Sequence, residues 1–388
     1  MKKSFYLLLM LLWILAVPGC IGNRHSKHQP VYFGHIGLSD SIAFGVKLTY
    51  PAEKETDLLA IYVLPSISKE DTTFYEGDSS SFNYKLKQRF LKSGISWMDV
   101  YSRKDSAAYL NSTCYSKADD IALAIGYVKD KLRLNKRIIL VGQSEGGITS
   151  AIVASARNDI SGVVFLSTPG VQGPEFLHYQ DSLALRRFAL TFGLDEHVWP
   201  FMYNLSPVLG KTYSTGTAGI QAYYRDLAAP LYRIMDRHNN VDSIRGACML
   251  YLQERWNENK DKILRNMAKA DSSRRFGFDD FLKSYRHKMY TMPQQIALYK
   301  WNPALYFPKI RCSVTAVFGT SDDKIEYSGS LRNMEILLKK GGNTNFKARV
   351  LNGYSHTLQP SNREATADLQ RNVINEVVQW TLKLPDNQ

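Results

Sequence analysis

The 388-residue sequence predicts an α/β protein: a mostly parallel central sheet flanked by helices and interrupted by a helical insertion. Three observations lead there. Apolar runs of strand length alternate with segments of helical period from residue 31 to about 170. The alternation stops after Pro169-Gly170, and residues 171–309 are aromatic-rich, helical in pattern and without a convincing strand. It then resumes from Cys312 to the C-terminus. An insertion this long inside a compact domain is usually functional, most often a lid.

The elements justify themselves in order. Residues 31–50 hold two short β-like runs, VYFGHIGL and IAFGVKLTY, which suggest an opening hairpin before Pro51. LLAIYVLP (58–65) is apolar throughout and predicts a buried strand. In 81–94, Phe82, Leu86 and Phe90 share one helical face and Gly94 ends the segment. ISWMDVY (95–101) is a strand. Ser116 to Asp119 has a capping-box-like spacing and opens a helix to about Leu134, with Ile121, Ile125 and Val128 on one face. RIILVG (137–142) is a strand, GGITSAIVASA (146–156) a helix and SGVVFLST (161–168) a strand. Beyond the insertion come a strand at 312–319, a helix at 328–340, a strand at 346–353 and a last helix at 362–384. The core is therefore expected at 31–170 and 310–388, with 171–309 as the insertion.

Composition narrows the function classes. The chain is 44% hydrophobic and 22% charged, which suits a folded globular domain. Its net charge is +13, but acids are interspersed, no dense basic run occurs and no nucleic-acid-binding motif is present, so nucleic acid is not expected as a partner. Cys114, Cys248 and Cys312 show no metal-ligand spacing, and His178, His197, His238 and His287 are scattered; no metal and no cofactor are expected. A Cys114–Cys248 bridge is left open. The insertion aromatics, Tyr179, Trp199 and Trp256 among them, are read as packing its own core rather than lining an acyl pocket.

The N-terminus carries an address. Lys2 and Lys3 precede thirteen apolar residues, FYLLLMLLWILAV, and then Pro18-Gly19-Cys20. That length suits a signal-peptide core better than a membrane span. The ending resembles a bacterial lipobox, which implies cleavage after residue 19, lipid on Cys20 and a tether over 20–30. The expected location is the bacterial cell envelope, at the periplasmic face or the cell surface.

The chemistry centres on Gly142-Gln143-Ser144-Glu145-Gly146, a G-x-S-x-G pentapeptide between a strand and a helix. A sharp strand-to-helix turn there exposes the serine hydroxyl above a helix N-terminus and aims the Glu145 N–H at the reacting centre. A serine needs a base and the base needs an orienting acid. After the 312–319 strand comes Gly319-Thr320-Ser321-Asp322-Asp323-Lys324-Ile325. After the next strand comes Asn352-Gly353-Tyr354-Ser355-His356, whose histidine is the only one in the last hundred residues. Asp322, with the G-x-x-D spacing and Ile325 three residues on, is preferred to Asp323 as the acid.

From about residue 31 to 384 the chain resembles the α/β-hydrolase superfamily, in particular bacterial serine hydrolases, esterases among them, whose elbow reads G-H-S-E-G-G. GQSEGG, GTSDDKI, GYSH and LYKWNPALYFPKIRCSVTAVFG carry the resemblance. It implies a Ser144–His356–Asp322 triad and hydrolysis through an acyl-enzyme. Gln143 replaces the group's histidine. Tyr101-Ser102-Arg103-Lys104 stands where relatives carry an Arg-Gly turn, so the substrate rim is not carried over. The resemblance also implies a second oxyanion donor from the loop after strand 58–65, where relatives have a glycine-containing turn. Here the loop is Leu64-Pro65-Ser66-Ile67, and Pro65 has no N–H. The donor falls to Ser66 or Ile67, and Ser66 is taken. The expected activity is ester hydrolysis. The alternatives are a peptidase of the same fold acting on short peptides, and a non-catalytic binding lipoprotein that keeps the fold.

Overall fold

The computed structural model describes residues 30–39, 42–64, 79–180, 229–270, 277–279, 291–363 and 365–385. Residues 1–29, which include the expected leader, Cys20 and most of the expected tether, lie outside them, as do Pro65, Ser66 and Trp199.

Eight strands form one sheet: β1 (Val31–Gly37), β2 (Ala43–Thr49), β3 (Leu58–Val63), β4 (Ser96–Arg103), β5 (Arg137–Gln143), β6 (Ile160–Leu166), β7 (Ser313–Gly319) and β8 (Phe346–Leu351). Their order is β1-β2-β4-β3-β5-β6-β7-β8. The opening hairpin pairs antiparallel, as does β2 with β4; every pair from β4 through β8 is parallel. Parallel strands need crossovers, and the helices supply them. They are α1 (Phe82–Lys92), α2 (Ser106–Leu110), α3 (Cys114–Gly126), α4 (Glu145–Ala156), α5 (Val241–Ala270), α6 (Pro293–Tyr299), α7 (Tyr327–Lys340) and α8 (Ala367–Leu382). Residues 173–180 and 229–237 are also helical, and between β6 and β7 the described residues contain no strand.

The apolar runs of the central strands follow from burial on both faces. All six β3 residues are buried. Side chains alternate across the sheet. Leu59, Ile61, Val63, Ile138, Leu140, Val163 and Phe165 join a core with α3, α4 and the helices of the 171–309 stretch. Leu58, Ala60, Tyr62, Ile139, Val141, Val164 and Leu166 join another with α1 and α8. At about 1.5–3 kcal/mol for each large side chain fully buried, these two layers dominate the stability.

Two expectations need correction, and the open cysteine pairing is decided. The helix expected from Ser116 begins at Cys114: Thr113 is the cap, its Oγ1 accepting from Ser116 N while Ser116 Oγ accepts from Thr113 N. Ser116 is thus the far half of a reciprocal capping box. That helix also ends in a π-helical turn over Tyr127–Lys131. The last helix begins at Ala367, capped by Thr366, and not at 362. The residues before it are used elsewhere: Ser361 donates twice to the Gly353 carbonyl, and Pro360 pairs with Tyr354, closing the loop that carries His356. Finally, Cys114 and Cys248 are separate free thiols buried in the core, with no bridge between them.

Candidate active site

β5 ends at Gln143 and α4 begins at Glu145, so Ser144 alone makes the turn. Its backbone sits at φ 53 and ψ −119. Non-glycine residues rarely adopt such angles, and the strain is held by the surroundings. Ser144 N donates to Leu166 O at 2.8 Å, and Ser144 O accepts from Gly147 N at 3.0 Å. Two glycines make the turn sterically feasible. A Cβ on Gly142 would stand 2.4 Å from Gly146 O, and one on Gly146 would stand 1.9 Å from Val63 O. The second approach brings the C-terminal end of β3 against the first turn of α4. Glu145 opens α4, a position whose N–H has no acceptor within the helix.

The acid sits on the next parallel strand but one. β7 ends at Gly319, and a tight turn follows, with Asp322 N donating to Gly319 O at 3.3 Å. The Asp322 side chain has no exposed surface. Its Oδ1 accepts from the Lys324 and Ile325 N–H groups, each at 2.8 Å. The histidine follows β8. Its Nδ1 lies 2.9 and 3.0 Å from the two Asp322 carboxylate oxygens, and the His356 side chain keeps 16% of its surface exposed. Asp323 pairs with its neighbour Lys324, Nζ to Oδ2 3.4 Å. The structure thus brings Asp322 and His356 together. It does not join Ser144 to His356 by a hydrogen bond among the described residues. Such contacts often tighten only when substrate binds. Ser144 is partly exposed. Ser66 lies outside the described residues.

Sequence reasoning missed several neighbours of this site. Gln143 is buried, its Oε1 accepting from Asn83 Nδ2 at 2.6 Å and from Tyr62 OH at 3.2 Å, while its Nε2 donates to His356 O at 3.4 Å. Tyr179 OH donates to the Asp322 carbonyl at 3.2 Å. Gln294 Nε2 donates to the buried Glu145 carboxylate at 2.5 Å. Both ends of the 171–309 stretch therefore touch residues of the site. No spacing signal marks these contacts, because each joins segments far apart in the chain.

A charged layer lies behind the turn. Lys117 Nζ is buried and donates to Val100 O at 3.1 Å and Tyr101 O at 2.7 Å. Burial, together with Arg103, pulls its pKa down to about 8 against the opposing pull of Asp120 and Glu145. Burial, reinforced by Glu145, pushes the Cys114 thiol well above its ordinary range. Among the described residues, no three His, Cys, Asp or Glu side chains converge as a metal set would.

No protein-family model and no curated protein matches the sequence. Solved structures do resemble it in shape. The esterase Est1E from Butyrivibrio proteoclasticus superposes with a TM-score of 0.44 at 12% identity, over 91% of this chain and 98% of its own. A thermostable carboxyl esterase from Bacillus coagulans gives 0.48 at 10% identity, over 92% and 99%. Dipeptidyl peptidase 4 from Porphyromonas gingivalis gives 0.47 at 10% identity, over 92% of this chain and 36% of its own. With its strand order, its strained serine between β5 and α4, and an acid and a histidine in the loops after β7 and β8, the chain has the α/β-hydrolase fold.

Proposed function

We propose that the protein is a serine hydrolase that cleaves a carboxylic ester through an acyl-enzyme. The observation that carries this is the Asp322–His356 pair, in the loops after β7 and β8, on the same sheet that presents Ser144 in a strained turn. In this scheme Ser144 Oγ attacks the acyl carbon while His356 Nε2 takes its proton. Asp322 holds Nδ1–H, fixes the tautomer and offsets the imidazolium charge. The Glu145 N–H, with Ser66 N–H as second donor, receives the oxyanion; one such donor is worth roughly 3–4 kcal/mol of barrier. His356 then returns the proton to the leaving alkoxide. Water, deprotonated by His356, releases the acid and restores Ser144. Esters are preferred because an alkoxide leaves more easily than an amine.

The N-terminal address extends the proposal. Cleavage after residue 19 and lipid on Cys20 would hold the enzyme at a bacterial envelope membrane, with small ester molecules reaching it from solution. Among the described residues no helix is long and apolar enough to cross a membrane.

A fluorophosphonate probe tests the chemistry. The purified mature protein should label and Ser144→Ala should not; a folded wild type that fails to label leaves a non-catalytic binder. Chromogenic short-chain esters against aminoacyl and dipeptidyl amides test the substrate class, and faster amide cleavage makes it a peptidase. Metabolic labelling with a fatty-acid analogue tests the anchor, which Cys20→Ala should abolish.

A further inference from the structure

We propose that Gln143 is a positioning residue: its side-chain amide clamps the backbone of His356 to the nucleophile turn. The inference rests on the serine-hydrolase reading above and adds a part to it. Gln143 directly precedes Ser144 and is buried at 6% exposure. Three hydrogen bonds fix its amide. The oxygen accepts from Asn83 Nδ2 on α1 and from Tyr62 OH on β3. The nitrogen donates to His356 O. A carbonyl can only accept, so His356 decides which end of the amide faces it.

The need for such a clamp is visible in the His356 loop. Leu358, two residues on, holds a left-handed φ of 55, and the loop is tied down behind the histidine by Ser355 N to Gln359 O and Gln370 Nε2 to Leu358 O. Those bonds attach the loop to itself and to α8. Asp322 holds the imidazole at one ring nitrogen. A ring held at a single nitrogen still pivots about that contact, and the free nitrogen at its far side moves most. The Gln143 bond adds a second attachment, at the main chain of the same residue, and it comes from the residue bonded to the nucleophile. With Ser144 Oγ not bonded to His356, this amide is a direct polar link between the two loops. Its two bonds to Tyr62 and Asn83 brace it against strand and helix, and Tyr62 is in turn stacked on Trp97 at 5.4 Å. A misplacement of about 1 Å at a catalytic pair can slow a reaction a hundredfold.

The residue type also makes sense. A neutral histidine offers one donor and one acceptor, whereas the Gln143 amide oxygen accepts twice while its nitrogen donates. A histidine here can keep the bond to His356 or satisfy both neighbours, not both.

The test compares wild type, Q143E, Q143H and Tyr62→Phe for fluorophosphonate labelling rate, for kcat and KM on p-nitrophenyl acetate, and for thermal midpoint. Q143E keeps the shape and the acceptor for Asn83 and Tyr62, but at pH 8 turns an oxygen towards His356 O. It should cut labelling and kcat at least tenfold with KM within twofold. Q143H, which can donate through a ring N–H, should recover part of that loss. Tyr62→Phe, which keeps the bond to His356 and loses one of the two braces, should slow labelling severalfold less than Q143E does. The proposal is overturned if Q143E labels within twofold of wild type, or if Tyr62→Phe slows labelling as much as Q143E does. A wild type that does not label at all defeats the hydrolase reading instead, so the two failures are distinct.

Discussion

Asp322 and His356 lie 34 residues apart in the chain, on loops following adjacent parallel strands, and meet with Nδ1 at 2.9 and 3.0 Å from the two carboxylate oxygens. The Asp322 carboxylate is fully buried and also receives two backbone N–H bonds, so contacts other than the imidazole hold it in place as well. Asp322→Asn should leave the fold intact and lower turnover by about ten-thousandfold, since the amide imposes the wrong tautomer. Asp323→Asn removes the pairing with Lys324 and should leave turnover within about threefold, since it is Asp322 that meets the imidazole. Steady-state kinetics on a chromogenic ester decide it; equal losses in the two variants would reject Asp322 as the orienting acid.

Ser144 carries backbone strain at φ 53 that glycine would not feel. Ser144→Gly should abolish activity and yet raise stability by about 1 kcal/mol, within the 1–3 kcal/mol typical of such strained positions. Ser144→Ala should abolish activity without that gain. Urea unfolding of the three proteins is the measurement, and a Ser144→Gly form no more stable than Ser144→Ala would refute the strain.

Gly146 sits where a methyl group would stand 1.9 Å from Val63 O. Neither partner is a flexible side chain, so α4 or the end of β3 must shift. Gly146→Ala should destabilise the protein by about 1–3 kcal/mol and reduce activity more than tenfold, because the same shift moves the Glu145 N–H. Thermal melts alongside ester kinetics check both effects.

Lys117 makes stability depend on pH. Its folded pKa of about 8 lies below the ordinary 10.5, so between those values the unfolded chain holds a proton that the folded chain has lost. Stability from this group therefore rises with pH across that window and is flat below it. The rise should reach up to about 3 kcal/mol, at roughly 1.4 kcal/mol per unit. Urea midpoints at pH 7, 9 and 10.5 should climb more steeply in wild type than in Lys117→Met; parallel profiles would contradict it.

Periodicity and punctuation made most of the architecture legible. Strands buried on both faces must be apolar throughout, so β3, β5, β6 and β7 stand out of the sequence, and Gly142 and Gly146 flank Ser144 because the turn tolerates no Cβ there. The order of serine, acid and histidine, each after a strand, followed from the same pattern. The sequence by itself did not decide helix starts where two hydroxyls compete, as at Thr113 and Ser116, nor that Ser361 closes a loop instead of opening a helix. Nor did it reveal that Gln143, Tyr179 and Gln294 hold His356, Asp322 and Glu145. The reason is physical. Local pattern reports which face of an element is dry, whereas a side-chain hydrogen bond between distant segments depends on where the packed sheet and helices place them. Only tertiary structure sets that placement, and here it sets Asp322 against His356.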